Sequence, residues 1–171
     1  MCQSMIFCPM PRMHNGDVAE PKWPWNCPEE TQFLYRDCLK FRYKFIPNIY
    51  SYAVNAVKTG EPLLRPLFYN DIKNEKLYDI NTEFYLGDDI LFAPVTGKDE
   101  LKKEVYLPCG TWIDFWTKRV YEGDRNIMRS TPLLQKEGLP MFIRQGGGLA
   151  FQKDCTHLTD EIPDFLEIEL Y

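Results

Sequence analysis

From Leu63 onward turn residues cut the chain into short apolar segments, and no other feature constrains its fold as tightly. Leu63–Tyr69, Phe84–Leu86, Ile90–Val95, Glu104–Leu107, Thr111–Phe115, Arg119–Glu122 and Met141–Ile143 read as strands, rich in aliphatic and aromatic residues. Gly87-Asp88-Asp89, Pro108-Cys109-Gly110, Gly123-Asp124 and Lys136-Glu137-Gly138 separate them. Short strands at this spacing predict an antiparallel sandwich or barrel. Phe165-Leu166-Glu167-Ile168-Glu169-Leu170 alternates with period two and reads as one more strand. Gly146-Gly147-Gly148 opens no helix and has no Lys-Ser/Thr after it, so it reads as a bulge or tight passage between strands.

Before Gly60 the period is different. Leu34, Cys38, Phe41, Phe45, Ile49, Tyr52 and Ala56 form one helical stripe, and Leu39, Tyr43, Ile46, Tyr50, Ala53 and Val57 a second. The spacing predicts a helix from Glu29 to Thr59. Pro28 and two acids open it, and Gly60 with the following Pro62 closes it. Pro47 lacks a backbone donor and predicts a kink, or a break into two helices, near Lys44–Ile46. Two apolar stripes imply two neighbours. Upstream, Ser4-Met5-Ile6-Phe7-Cys8 reads as a buried strand, and Pro9, Pro11, Gly16, Pro21 and Pro24 impose an irregular loop.

Charge and cysteine usage narrow the partners. A net charge of -5 without a basic block argues against nucleic acid and anionic membranes, and leaves neutral ligands such as sugars as the better fit. No apolar run approaches the roughly 20 residues of a membrane span. Cys2, Cys8, Cys27, Cys38, Cys109 and Cys155 show neither C-x-x-C pairing nor metal-ligand spacing, and no secretory signal precedes them, so free thiols in the cytoplasm are expected.

Four stretches, taken in order, carry a resemblance: Arg65-Pro66-Leu67-Phe68, Gly87 to Val95, Val105 to Thr117, and Leu139-Pro140-Met141-Phe142-Ile143-Arg144-Gln145-Gly146. Together they resemble the C-terminal region of glycoside hydrolase family 31, which contains α-glucosidases and α-xylosidases. The resemblance implies a mainly β fold: an antiparallel β-sandwich preceded by a long, Pro-kinked helix that is the last β/α unit of a TIM-type barrel. Residues 1–75 would be the end of the barrel, 76–150 the proximal sandwich, and 151–171 the start of a distal β-domain. The parent would hydrolyse terminal α-linked glucose-like residues of oligosaccharides with retention, using no metal or organic cofactor.

Phe7, Pro9, Arg12 and His14 match a family pattern after the last barrel strand, and Pro24-Trp25 matches the Pro-Trp downstream. The resemblance implies that His14 binds sugar hydroxyls beside the scissile bond and that Arg12 shapes the loop. Imidazole suits a hydroxyl, since both groups donate and accept. Met13, between them, and Met1-Cys2-Gln3 depart from the family pattern. Retention needs two carboxyls about 5–5.5 Å apart, and the family motifs carrying them are absent here. Asp17, Asp71, Asp88, Asp89 and Asp114 read as structural, Asp88 and Asp89 as turn formers and Asp114 as a hydrogen-bonding group on a strand. Trp112, Phe115, Trp116 and Tyr121 read as core or interdomain packing in preference to a sugar platform, and His157 has no assigned role. The expectation is a chain without catalytic residues, inactive alone, that self-associates through residues 29–59. The alternative is a non-catalytic carbohydrate-binding or interaction module.

Overall fold

A computed structural model describes residues 6–11, 23–97, 100–155, 157–159 and 163–171. Helix α1, Glu29–Thr59, starts after Pro28 with Glu29 and Glu30 in its first turn. It ends where Gly60 takes a left-handed φ of 81° and donates its N–H to the Ala56 carbonyl at 2.8 Å. Of the kink or break expected near Lys44–Ile46, the break does not occur: one helix of 31 residues runs through Pro47. Proline inside a helix costs about 3 kcal/mol. Burial of Phe45 and Ile49 on either side of it offsets that cost, at about 1.5–3 kcal/mol for each such side chain.

The strands are β1 (Leu64–Pro66), β2 (Phe84–Leu86), β3 (Ile90–Phe92), β4 (Lys102–Leu107), β5 (Thr111–Asp114), β6 (Val120–Glu122), β7 (Arg125–Ser130), β8 (Met141–Arg144), β9 (Gly148–Gln152) and β10 (Leu166–Leu170). Six form one antiparallel sheet in the order β1-β2-β3-β8-β5-β6, while β4 pairs with β7 and β9 with β10. The sheet runs across the expected 75/76 boundary because β1 pairs with β2, and β10 returns to β9 across 150/151. Two of these strands, β7 and β9, were not expected from the sequence. The Leu63–Tyr69 segment is shorter in strand than expected, turning at Leu67–Asn70 into a 3-10 helix.

Alternation along the sheet sorts the core into two layers. Tyr85, Leu91, Trp112 and Phe142 face the β4–β7 ladder, where Val105 and Leu107 meet them. Leu86, Ile90, Phe92, Met141, Ile143 and Phe115 face the other way, toward α1 and β9. Helix α1 supplies Leu34, Cys38, Phe45 and Ile49 to that side, with Phe41 centred among the rings of Phe115, Trp116 and Phe151. Asn48, buried on the same face, donates to the Ala150 carbonyl at 2.7 Å and accepts the Ala150 N–H at 2.9 Å, stitching α1 to β9. The six-stranded sheet is thus covered on one face by the β4–β7 ladder and on the other by α1 together with the β9–β10 pair.

Gly87 is fixed by two constraints together. Its φ of 63° is left-handed, and a Cβ there would lie 1.9 Å from Cε1 of Tyr52 on α1.

Candidate functional site

The expected sugar-binding residues, Arg12 and His14, lie outside the described residues, as does Asp17. The structure does describe both roots of their loop. On the incoming side Ile6 and Phe7 are fully buried, in a turn where a strand was expected. Phe7 packs between Phe45 of α1 and Phe92 of β3, with ring centroids 5.3 and 5.0 Å away. Arg42 of α1 donates to the carbonyls of Ile6, Cys8 and Pro9 at 2.9, 2.7 and 3.2 Å. One guanidinium therefore satisfies three acceptors of an irregular segment that has no ladder to do so. On the outgoing side the indoles of Trp23 and Trp25 stack at 5.4 Å and are 46% and 68% exposed. Ile6 to Pro9 are thus anchored on the helix–sheet core, and Trp23 and Trp25 present two exposed aromatic faces.

The carboxylates weighed as catalytic candidates divide clearly. Asp114 is fully buried, and its Oδ1 accepts the N–H groups of Trp116 and Thr117 at 2.9 and 2.8 Å. Its Oδ2 accepts the Arg129 Nε–H at 2.5 Å, joining β5 to β7 across the sandwich. It is structural, as its place in the strand implied. Asp88 does more than form a turn: it accepts Nη1–H of buried Arg65 at 2.5 Å. Glu61 accepts from Nη2 of the same guanidinium at 3.1 Å. Asp89 stays near the turn, its carboxyl held above the usual range by burial and by the charge of Asp88.

Trp112 is fully buried and donates its indole N–H to the Pro108 carbonyl at 2.7 Å, so it is core and not a platform. Trp116 donates to the Leu139 carbonyl at 2.8 Å. Gly146 and Gly147 form the turn from β8, and β9 begins at Gly148. The five described cysteines are free thiols. Among the described residues no cluster of three or more metal-ligating side chains occurs, and no helix is long and apolar enough to cross a membrane.

One group escaped the sequence reading. Glu83, just before β2, is 3% exposed. Burial pushes its carboxyl up to about 7, against the opposing pull of the Tyr106 N–H and Lys103. The available signal was its parity with Tyr85, which faces the β4–β7 layer.

Comparison with known proteins matches residues 1–52 to the glycosyl hydrolases family 31 TIM-barrel domain and residues 60–147 to the glycosyl hydrolase family 31 C-terminal domain. An alpha-glucosidase 2 of Bacillus thermoamyloliquefaciens is 32% identical over 91% of this chain and 20% of its own length. The structure of a GH31 alpha-xylosidase from Xanthomonas citri superposes with a TM-score of 0.85 at 28% identity, over 99% of this chain and 18% of the other. A GH31 dextranase of Flavobacterium johnsoniae, complexed with isomaltotriose, gives 0.77 at 29% identity over 85% of this chain and 18% of the other. The chain spans about a fifth of the length of the curated relatives it matches. The fold, the ordered motifs and these matches agree: the chain belongs to glycosyl hydrolase family 31.

Proposed function

We propose that this chain is the C-terminal portion of a retaining α-glycosidase that removes terminal α-linked glucose-like residues from oligosaccharides. The match to both the barrel and the C-terminal domain of the family carries this reading. In it, the loop bearing Arg12 and His14 reaches the active face of the barrel, where loops after strands build the site. The layers behind it hold its roots through Arg42 and Phe7. The sugar in the dextranase complex supports an oligosaccharide as the ligand class.

A retaining mechanism needs both a nucleophile and an acid/base, and no pair in this chain is proposed to serve. The chain alone should therefore give no turnover of an activated aryl α-glucoside above buffer. The full-length parent should hydrolyse it and release the α-anomer first, as seen by NMR of early product. Turnover by the chain that a single Asp substitution abolishes would sink the reading, and so would a β-anomer from the parent.

The same reading accounts for the outer face of α1. Its inner stripe is in the core, but Phe33, Tyr50 and Val57 are 54%, 69% and 89% exposed. In the parent the barrel covers this face. In the chain alone a second copy is the partner we propose, about a twofold axis. Light scattering at micromolar concentration should show a dimer that Tyr50→Glu converts to monomer. A monomeric starting protein would remove the proposal.

A further inference from the structure

Beside Glu83 the space between the β4–β7 ladder and the segment leading into β2 opens as a cleft of about 570 Å³. Lys76, Asp79 and Asn81 line one wall, Glu104 and Tyr106 of β4 and Asn126 of β7 the other, and Glu83 forms part of the lining between them. Glu83 Oε1 accepts the Tyr106 N–H at 2.9 Å. Its Oε2 is buried and has no hydrogen-bond partner. A buried carboxyl oxygen without a donor is costly, and native structures rarely leave one so. The terminal torsion of a glutamate is soft, so a small rotation turns this oxygen toward the cleft that Glu83 lines while the other stays within reach of the Tyr106 N–H.

We propose that this cleft binds a neutral, hydroxyl-rich ligand of the sugar class, one of whose O–H groups donates to the free oxygen of Glu83. Three acids, Asp79, Glu83 and Glu104, against the single cation Lys76 make the lining unfavourable for an anion. Among the described residues no three ligands converge on a metal. Asn81 and Asn126 each offer donors and acceptors, which match a polyol. Ile80 and the Tyr106 ring supply apolar surface for its C–H faces. A donor at the free oxygen favours the charged carboxylate, so occupancy also relieves the raised proton affinity of Glu83. The choice of a sugar among hydroxyl-rich ligands rests on the reading of the intact protein as carbohydrate-active.

The test is a titration of the 171-residue chain with maltotriose in the millimolar range, followed by amide NMR, with spermidine as a cationic comparison. Saturable shifts confined to the amides of Glu83, Glu104, Tyr106 and Asn126 and their neighbours are expected. Glu83→Gln keeps the size and one acceptor oxygen but puts a donor where the sugar hydroxyl must donate. It should leave the spectrum folded and weaken binding about tenfold, the loss of one hydrogen bond to a charged group. No saturable shifts with maltotriose, an unchanged Kd in Glu83→Gln, or saturation by spermidine alone would each overturn the proposal. Because binding is read on this chain without turnover, a parent that fails to hydrolyse α-glucosides sinks the function proposed above and leaves this result standing. An active parent whose chain binds no maltotriose does the reverse.

Discussion

Asp114→Ala is expected to destabilise the chain by about 3–5 kcal/mol, the range for removing one partner of a buried ion pair. The carboxylate is wholly buried and accepts three hydrogen bonds, two from the backbone of the turn after β5 and one from Arg129 on β7. Its loss strands two N–H groups and leaves the Arg129 guanidinium, 9% exposed as a residue, without its counter-charge. Since domains are stable by only about 5–15 kcal/mol, this one substitution consumes a large share. Urea denaturation should show a lower midpoint for Asp114→Ala. Asp114→Asn, which keeps an acceptor for the turn but loses the charge, should fall between it and the parent sequence. Pairing Asp114→Ala with Arg129→Met should recover part of the loss, because the stranded charge goes as well. A cost below about 1 kcal/mol for Asp114→Ala would mean that the pair behaves as a surface ion pair.

In the full-length parent, His14→Ala should lower kcat and kcat/KM by at least about a hundredfold, while His157→Ala leaves both within about twofold. Hydrogen bonds to sugar hydroxyls that tighten in the transition state supply several kcal/mol, and each 1.36 kcal/mol is about a factor of ten in rate. His157 is exposed, near the β9–β10 connection, and provides the matched control for removing an imidazole. Equal, small effects at both positions would remove His14 from the proposed site. A rise in KM with kcat unchanged would reassign it to binding that the ground and transition states share.

How much of this was legible in the sequence can be judged residue by residue. Helix α1 begins and ends where Pro28, two glutamates and Gly60 place its limits, because capping and left-handed φ are local properties. Strand β2 occupies the three residues that two apolar neighbours and a Gly-Asp-Asp turn marked out. Asp114 is a structural group because a carboxylate on a buried strand face must find donors, and three were near. The family was legible because its motifs are the turns and apolar strands that make this sandwich.

Other features depended on what packs against what. Strand β7 has mostly exposed residues, so its sequence carries no burial period, and pairing with β4 creates it. At Pro47 the sequence left a kink or a break open, because local chemistry sees the missing donor and not the buried Phe45 and Ile49 that hold one helix through it. Glu83 reads as a surface acid until the β4–β7 ladder closes over it, when one oxygen finds the Tyr106 N–H and the other finds nothing. By itself the sequence determined the limits of helix α1, most of the strands and the turns between them, and which family they compose. The tertiary structure decided which faces those segments bury and which charges are trapped between them. Periodicity along one segment reports that segment alone, whereas desolvation and ion pairing belong to the contact between two.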